Sequence, residues 1–188
     1  MIRAIVFDCF GVLCTDGWLP LKREYFGHDQ ELFDQAGDMN KQVDAGLADY
    51  EDFLSSVADM ASIKKEEVRT RIEANPPNQE LFDLIKTLKA HYKIGILSNA
   101  GANWLPDIFT PEQLELFDAV ALSYETGVNK PGQAAYQTIA ERLGVEPEEC
   151  LFTDDQPAFC EAAAATGMQA IVFTSVEQFK KDLSAVLA

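Results

Sequence analysis

Ala4-Ile5-Val6-Phe7-Asp8 decides how this chain folds: four apolar residues run without alternation and stop on a carboxylate. A strand that is apolar on both faces suits a parallel sheet covered by helices on each side. The same pattern recurs at Ile94-Gly95-Ile96-Leu97, Ala119-Val120-Ala121-Leu122, Leu151-Phe152-Thr153 and Ala170-Ile171-Val172-Phe173. Helical periodicity fills the gaps. Leu81, Phe82, Leu84, Ile85 and Leu88 fall on one stripe of a helix. Thr110-Pro111-Glu112-Gln113 offers an N-cap, a proline at the first helical position and a capping-box glutamine, and Ser175 to Gln178 repeats the box. Gly144 and Gly167 stand where helix C-caps are expected. Alternating strand and helix predict a doubly wound, Rossmann-like α/β fold with a parallel sheet.

One region breaks the alternation. From Thr15 to Pro76 no strand-like run occurs, and Tyr50, Phe53, Leu54, Val57 and Met60 follow helical spacing behind Asp49, an expected N-cap. Asn75-Pro76-Pro77-Asn78 reads as a linker back to the sheet. The expected organisation is therefore a core domain of residues 1–14 and 79–188, with a small helical cap domain of residues 15–78 inserted after the first strand. A chain of 188 residues is long enough for such a core plus an accessory unit.

Composition narrows the partners. With 47% apolar and 24% charged residues the chain reads as globular rather than disordered. A net charge of −16 argues against nucleic acid and against an anionic membrane surface. It leaves room for an anionic small molecule, because a metal ion reverses the sign of the field inside a pocket. Cys9, Cys14, Cys150 and Cys160 form no CxxC pair, and His28 and His91 fall outside every motif, so neither a zinc site nor a disulfide framework is expected. The stretch Ile2 to Leu13 is too short to span a bilayer, and it carries no signal-peptide pattern. A cytoplasmic location is the expectation. Oligomeric state is not legible.

In open α/β sheets the working site lies at the carboxyl ends of the strands. Here those ends carry Asp8, Ser98-Asn99, Gly127-Val128-Asn129-Lys130-Pro131 and Asp154-Asp155. Any one of these is ordinary turn or cap chemistry. All four in this order are not. Asp8-Cys9-Phe10-Gly11-Val12-Leu13, Ser98, Lys130-Pro131 and Asp154-Asp155 resemble motifs I to IV of the haloacid dehalogenase-like hydrolases. The likeness covers the whole chain and is nearest to subfamily IA and its small bacterial sugar-phosphate phosphatases.

The resemblance implies a set of roles. Asp8 is the expected nucleophile, forming an aspartyl-phosphate and splitting hydrolysis into two displacements. Mg²⁺ is the expected cofactor, held by Asp8, the Phe10 carbonyl, Asp154 and Asp155. Ser98, Asn99 and Lys130 are expected to bind the phosphoryl group of a small phosphorylated metabolite, with Ser98 and Lys130 assisting catalysis. In the insert, Arg23 and Lys41 read as solvated and Trp18 as packing or pocket lining.

Position 10 departs from the pattern. Phosphatases of this family carry there an aspartate that protonates the leaving alcohol and later activates water, and a phenyl ring does neither. An aromatic at that place is similar instead to the 2-haloacid dehalogenases, which use tyrosine and lack the paired carboxylates kept here as Asp154-Asp155. Three readings stay open: a Mg-dependent phosphomonoesterase, slow or restricted to good leaving groups; a non-catalytic module that binds a phosphorylated ligand; and a 2-haloacid dehalogenase.

Overall fold

In the computed structural model, which describes residues 1–187, the five apolar runs are strands. They are β1 (Ala4–Phe7), β2 (Lys93–Ser98), β3 (Ala119–Leu122), β4 (Cys150–Asp154) and β5 (Gln169–Val172), all parallel, in the order β3-β2-β1-β4-β5. The chain winds outward from β1 through β2 to β3, then returns to the other side of β1. That reversal between β1 and β4 is the topological switch point where ligands bind in such sheets.

Two-sided burial explains the unbroken apolar runs. Ile5 and Phe7 face one layer, with α5 (Gln79–Leu88) and α11 (Val176–Leu187), while Ala4 and Val6 face the other, with α9 (Gln133–Leu143) and α10 (Pro157–Ala165). All four strand residues are fully buried. Two of the covering helices have local reasons to start where they do. Asn78 caps α5 by accepting from Leu81 N, and Pro157 sits at the first position of α10. Between β2 and β3 lie short helices at Leu105–Ile108 and Pro111–Leu114, the second with both halves of the predicted Thr110–Gln113 capping box formed. Another, Ser123–Thr126, follows β3 directly.

The insert after β1 is wholly helical, as its periodicity required: α1 (Trp18–Phe26), α2 (Gln30–Asp44), α3 (Tyr50–Ala61) and α4 (Lys65–Ile72). These helices share an apolar cluster of their own, including Leu21, Phe26, Leu54, Val57 and Val68. Trp18 packs edge-on to Phe53 within it. Outgoing and returning chains are stitched side by side: Thr15 N donates to the Pro76 carbonyl (3.2 Å) and Asn78 N to the Leu13 carbonyl (2.8 Å). The insert also reaches the sheet edge through the end of α2. A Cβ at Gly101 would lie 2.5 Å from the Val43 carbonyl, so only glycine admits this approach. No described helix is long and apolar enough to cross a membrane, and all four cysteines are free and buried.

Leu54 has no solvent exposure at the centre of the insert cluster. Replacing it with alanine removes burial and leaves a cavity, at a cost of about 2–5 kcal/mol. Urea denaturation of Leu54→Ala should show that loss; a change below about 1 kcal/mol would mean the insert does not depend on this cluster.

Candidate active site

The strand register brings the motif residues together. Phe7 lies opposite Ile96 on one side and Thr153 on the other, so Asp8, the next residue, comes level with Asp154 at the end of β4. Asp8 N donates to the Thr153 carbonyl (2.9 Å), which extends the ladder by one step and fixes the nucleophile candidate at its rim. Ser98 ends β2 immediately beside them. Lys130 comes from the loop before α9 and is drawn inward until only 1% of its side chain is exposed.

Its ammonium lies 2.5 Å from Asp8 Oδ1 and 2.5 Å from Asp154 Oδ2. The rings of Phe152 and Phe159 stand 5.5 and 4.9 Å from it, which adds cation–π attraction and keeps water away. Asn99 holds the lysine from behind: its Oδ1 accepts from Lys130 N (2.8 Å) and its Nδ2 donates to the Lys130 carbonyl (2.9 Å). Both ends of that amide are thus engaged with the Lys130 backbone. The Ser98 hydroxyl, by contrast, has only a long 3.5 Å contact with the Asn99 carbonyl, although the residue is buried. A contact of that length is marginal as a hydrogen bond, so the hydroxyl is available to a ligand.

Carboxylate oxygens of Asp8, Asp154 and Asp155 lie within 4.8 Å of one another. Three carboxylates against one ammonium leave two negative charges in a mostly buried space, an arrangement that is unfavourable without a further cation. Asp155 Oδ1 is buried with no hydrogen-bond partner among the described residues, which is unusual in a folded protein. No described hydrogen bond reaches the Phe10 carbonyl either. Gly11 makes room for this cluster: its φ is +90°, and a Cβ there would lie 2.7 Å from the Asp155 carboxylate. The donor set is all oxygen, which suits a hard divalent cation rather than zinc. The residues fit a metal.

The family model for haloacid dehalogenase-like hydrolases matches residues 2–167. The chain belongs to the haloacid dehalogenase-like hydrolase family. It is 30% identical over 209 residues to phosphatase MT3486 of Mycobacterium tuberculosis, an alignment covering 98% of this chain and 95% of that protein. Among solved structures it resembles the HAD family enzyme bt-2542 of Bacteroides thetaiotaomicron, crystallised with magnesium and inorganic phosphate. That match has a TM-score of 0.71 at 22% identity and covers 94% of this chain and 96% of the other. It also resembles L-2-haloacid dehalogenase PA0810, with a TM-score of 0.64 at 20% identity over 90% of this chain and 83% of that one. At such identities the two structures speak for the fold alone. The parallel sheet and its flanking helices are therefore those of this hydrolase family.

Two acids that the strand-end reading passed over stand near the site. Asp16, just beyond the first motif, accepts from the first backbone amides of α1, Trp18 N (2.8 Å) and Leu19 N (3.3 Å). Asp44 ends α2. Both carry charges felt at the site: Asp16 raises the pKa of Asp155, and Lys130 lowers that of Asp44. In the insert, Lys41 is exposed and paired with Asp38 at 2.8 Å, and Arg23 is exposed.

Burial pushes the Asp8 carboxyl up to about 8; Lys130 opposes this, and the negative charge of Asp154 adds to it. Without metal, then, the folded protein holds a proton on Asp8 that the unfolded chain releases near its ordinary value of 3.8. The stability carried by that proton is present below about 4 and is lost as pH rises through about 8. Urea midpoints of the metal-free protein should fall over this window, Mg²⁺ should restore more at pH 8 than at pH 5, and Asp8→Asn should flatten the slope. A slope unchanged in Asp8→Asn would mean that Asp8 is not the group responsible.

Proposed function

We propose that this hydrolase is a Mg²⁺-dependent phosphomonoesterase acting on a small phosphorylated metabolite through an aspartyl-phosphate on Asp8. The observation that carries the reading is the uncompensated cluster of Asp8, Asp154 and Asp155 around a single buried lysine, with the orphaned Asp155 Oδ1 among them. A phosphate group brought to Asp8 would meet like charge, so attack requires cations on both sides of the reacting centre. Asp8, the Phe10 carbonyl, Asp154 and Asp155 would hold Mg²⁺, which when bound neutralises charge on the transferring group. The likeness to phosphatase MT3486 over nearly the whole chain supports the same substrate class.

The chain's own groups divide the rest of the work. Asp8 Oδ1 is turned to Lys130, and no donor among the described residues reaches Oδ2, which is left for metal or attack. Lys130 places its positive charge beside the nucleophile, and the free Ser98 hydroxyl offers a donor to an equatorial phosphoryl oxygen. Asn99 contributes to binding by fixing Lys130. Residues 15–78, as a cap domain, would cover the strand ends and shape the pocket around the leaving group. The nearest competing reaction is dehalogenation, favoured by the aromatic Phe10 but not by the clustered Asp154-Asp155 pair, which 2-haloacid dehalogenases lack.

Phosphate release from a panel of phosphate esters and acyl phosphates tests the proposal. Wild type should require Mg²⁺, and Asp8→Asn should lower turnover by at least about 10³-fold, as expected when a covalent nucleophile is removed. Equal rates for wild type and Asp8→Asn would refute it. Metal-independent halide release from a 2-haloacid would establish the dehalogenase instead, and Mg²⁺-dependent binding without turnover would establish a ligand-binding module.

A further inference from the structure

We propose that Asp44, at the end of α2, makes the proton transfers that a phenyl ring at position 10 cannot make. This rests on the phosphatase reading above. In the first displacement the Asp8 oxygen–phosphorus bond forms, the phosphorus–oxygen bond to the leaving group breaks, and the Asp44 proton passes to the departing oxygen. In the second, water's oxygen bonds to phosphorus, the bond to Asp8 breaks, and a water proton passes to Asp44. Inorganic phosphate leaves with both carboxyl groups restored.

Position is the first argument. The end of α2 is planted on the same sheet edge as the motif residues, against the loop that follows β2 and the short helix that follows β3. Ser123 Oγ, directly after β3, accepts from Ala100 N (2.9 Å) and donates to the Asp44 carbonyl (2.7 Å). Val43, the preceding residue, closes on Gly101, two residues beyond the Asn99 that grips Lys130. These contacts fix the Asp44 backbone in place.

The carboxyl itself is half committed. Oδ2 accepts from Asn40 Nδ2 (3.0 Å), and no described protein donor reaches Oδ1, so one oxygen remains to exchange a proton. Asp16, the other nearby acid, has both carboxylate oxygens turned to the backbone of α1. That makes Asp44 the better-placed acid of the two. The groups acting on it are Asn40 from its own helix, through the hydrogen bond above, and Asp16 from the chain after β1 and Lys130 from the loop before α9, through their charges. Burial, and next the negative charge of Asp16, push its carboxyl up to about 7, against the pull of Lys130. Near neutral pH it therefore exists in both forms, as an alternating acid and base must.

Wild type, Asp44→Asn, Asp44→Glu and Asp8→Asn would be compared with Mg²⁺ on aryl phosphates whose phenols range from strongly to weakly acidic. Asp44→Asn, similar in size, should lose roughly 10²- to 10⁴-fold in kcat/KM on the poorest leaving group and far less on the best. The wild-type decline in kcat/KM above about pH 7 should vanish in Asp44→Asn. Asp44→Glu should recover part of the rate and the decline. An equal loss across the series with an unchanged pH profile would reduce Asp44 to a structural role, and no loss would remove it altogether. Either result, with Asp8→Asn inactive, leaves the phosphatase reading standing. Wild type and Asp8→Asn equally unable to hydrolyse any member would overturn both.

Discussion

A lysine ammonium buried between two aspartates organises this molecule. Lys130 ties the loop before α9 to the ends of β1 and β4 at once, through Asp8 and Asp154. Taking those charges out of water is costly, and close contact with added hydrogen bonds is what offsets it. The surroundings are arranged accordingly. Asn99 fixes the lysine backbone, Gln156 N donates to Asp154 Oδ1 at 2.9 Å, and aromatic rings flank the ammonium. The pairing is also unbalanced, since Asp155 adds a further carboxylate with an unpartnered oxygen. What stabilises the site as a structure therefore leaves it short of positive charge.

That shortage joins the charge of the whole chain to its chemistry. A protein of net charge −16 repels phosphate in general, and only a local reversal of the field admits one. Lys130 alone cannot supply it, being already committed to two carboxylates. On the proposed function, binding of an anionic substrate and occupancy by a divalent cation would thereby be coupled. The raised pKa of Asp8 expresses the same constraint in protons, because a proton is the cation that a carboxylate can always recruit.

Much of this was legible in the sequence because it is local physics. Unalternating apolar runs identified the strands, and Asp49 and Thr110 capped the helices they were expected to cap. The capping box at Ser175 formed with a shift: Ser175 accepts from Gln178 N, while Gln178 reaches back to Thr174 N. Gly167 stands one residue beyond the cap of α10, with φ of +99°. What stayed hidden depends on tertiary contact. The motif marks Asn99 as an expected phosphoryl ligand beside Ser98; that its amide also holds the Lys130 backbone is visible only in the fold. Asp44 bears no motif at all. Its place at the site follows from where α2 ends against Ser123, some eighty residues later in the chain. The family resemblance identifies the group missing at position 10, and no local pattern points to another acid in its place.

The central claim is that Asp8 carries the phosphoryl group during turnover. Rapid acid quench of the protein turning over an acyl or aryl phosphate with Mg²⁺, followed by peptide mass spectrometry, tests it most directly. One added phosphoryl mass is expected on the peptide containing Asp8, absent when Mg²⁺ is withheld and absent in Asp8→Asn. A phosphorylated peptide elsewhere in the chain, or full turnover with Asp8 never modified at any quench time, would contradict it.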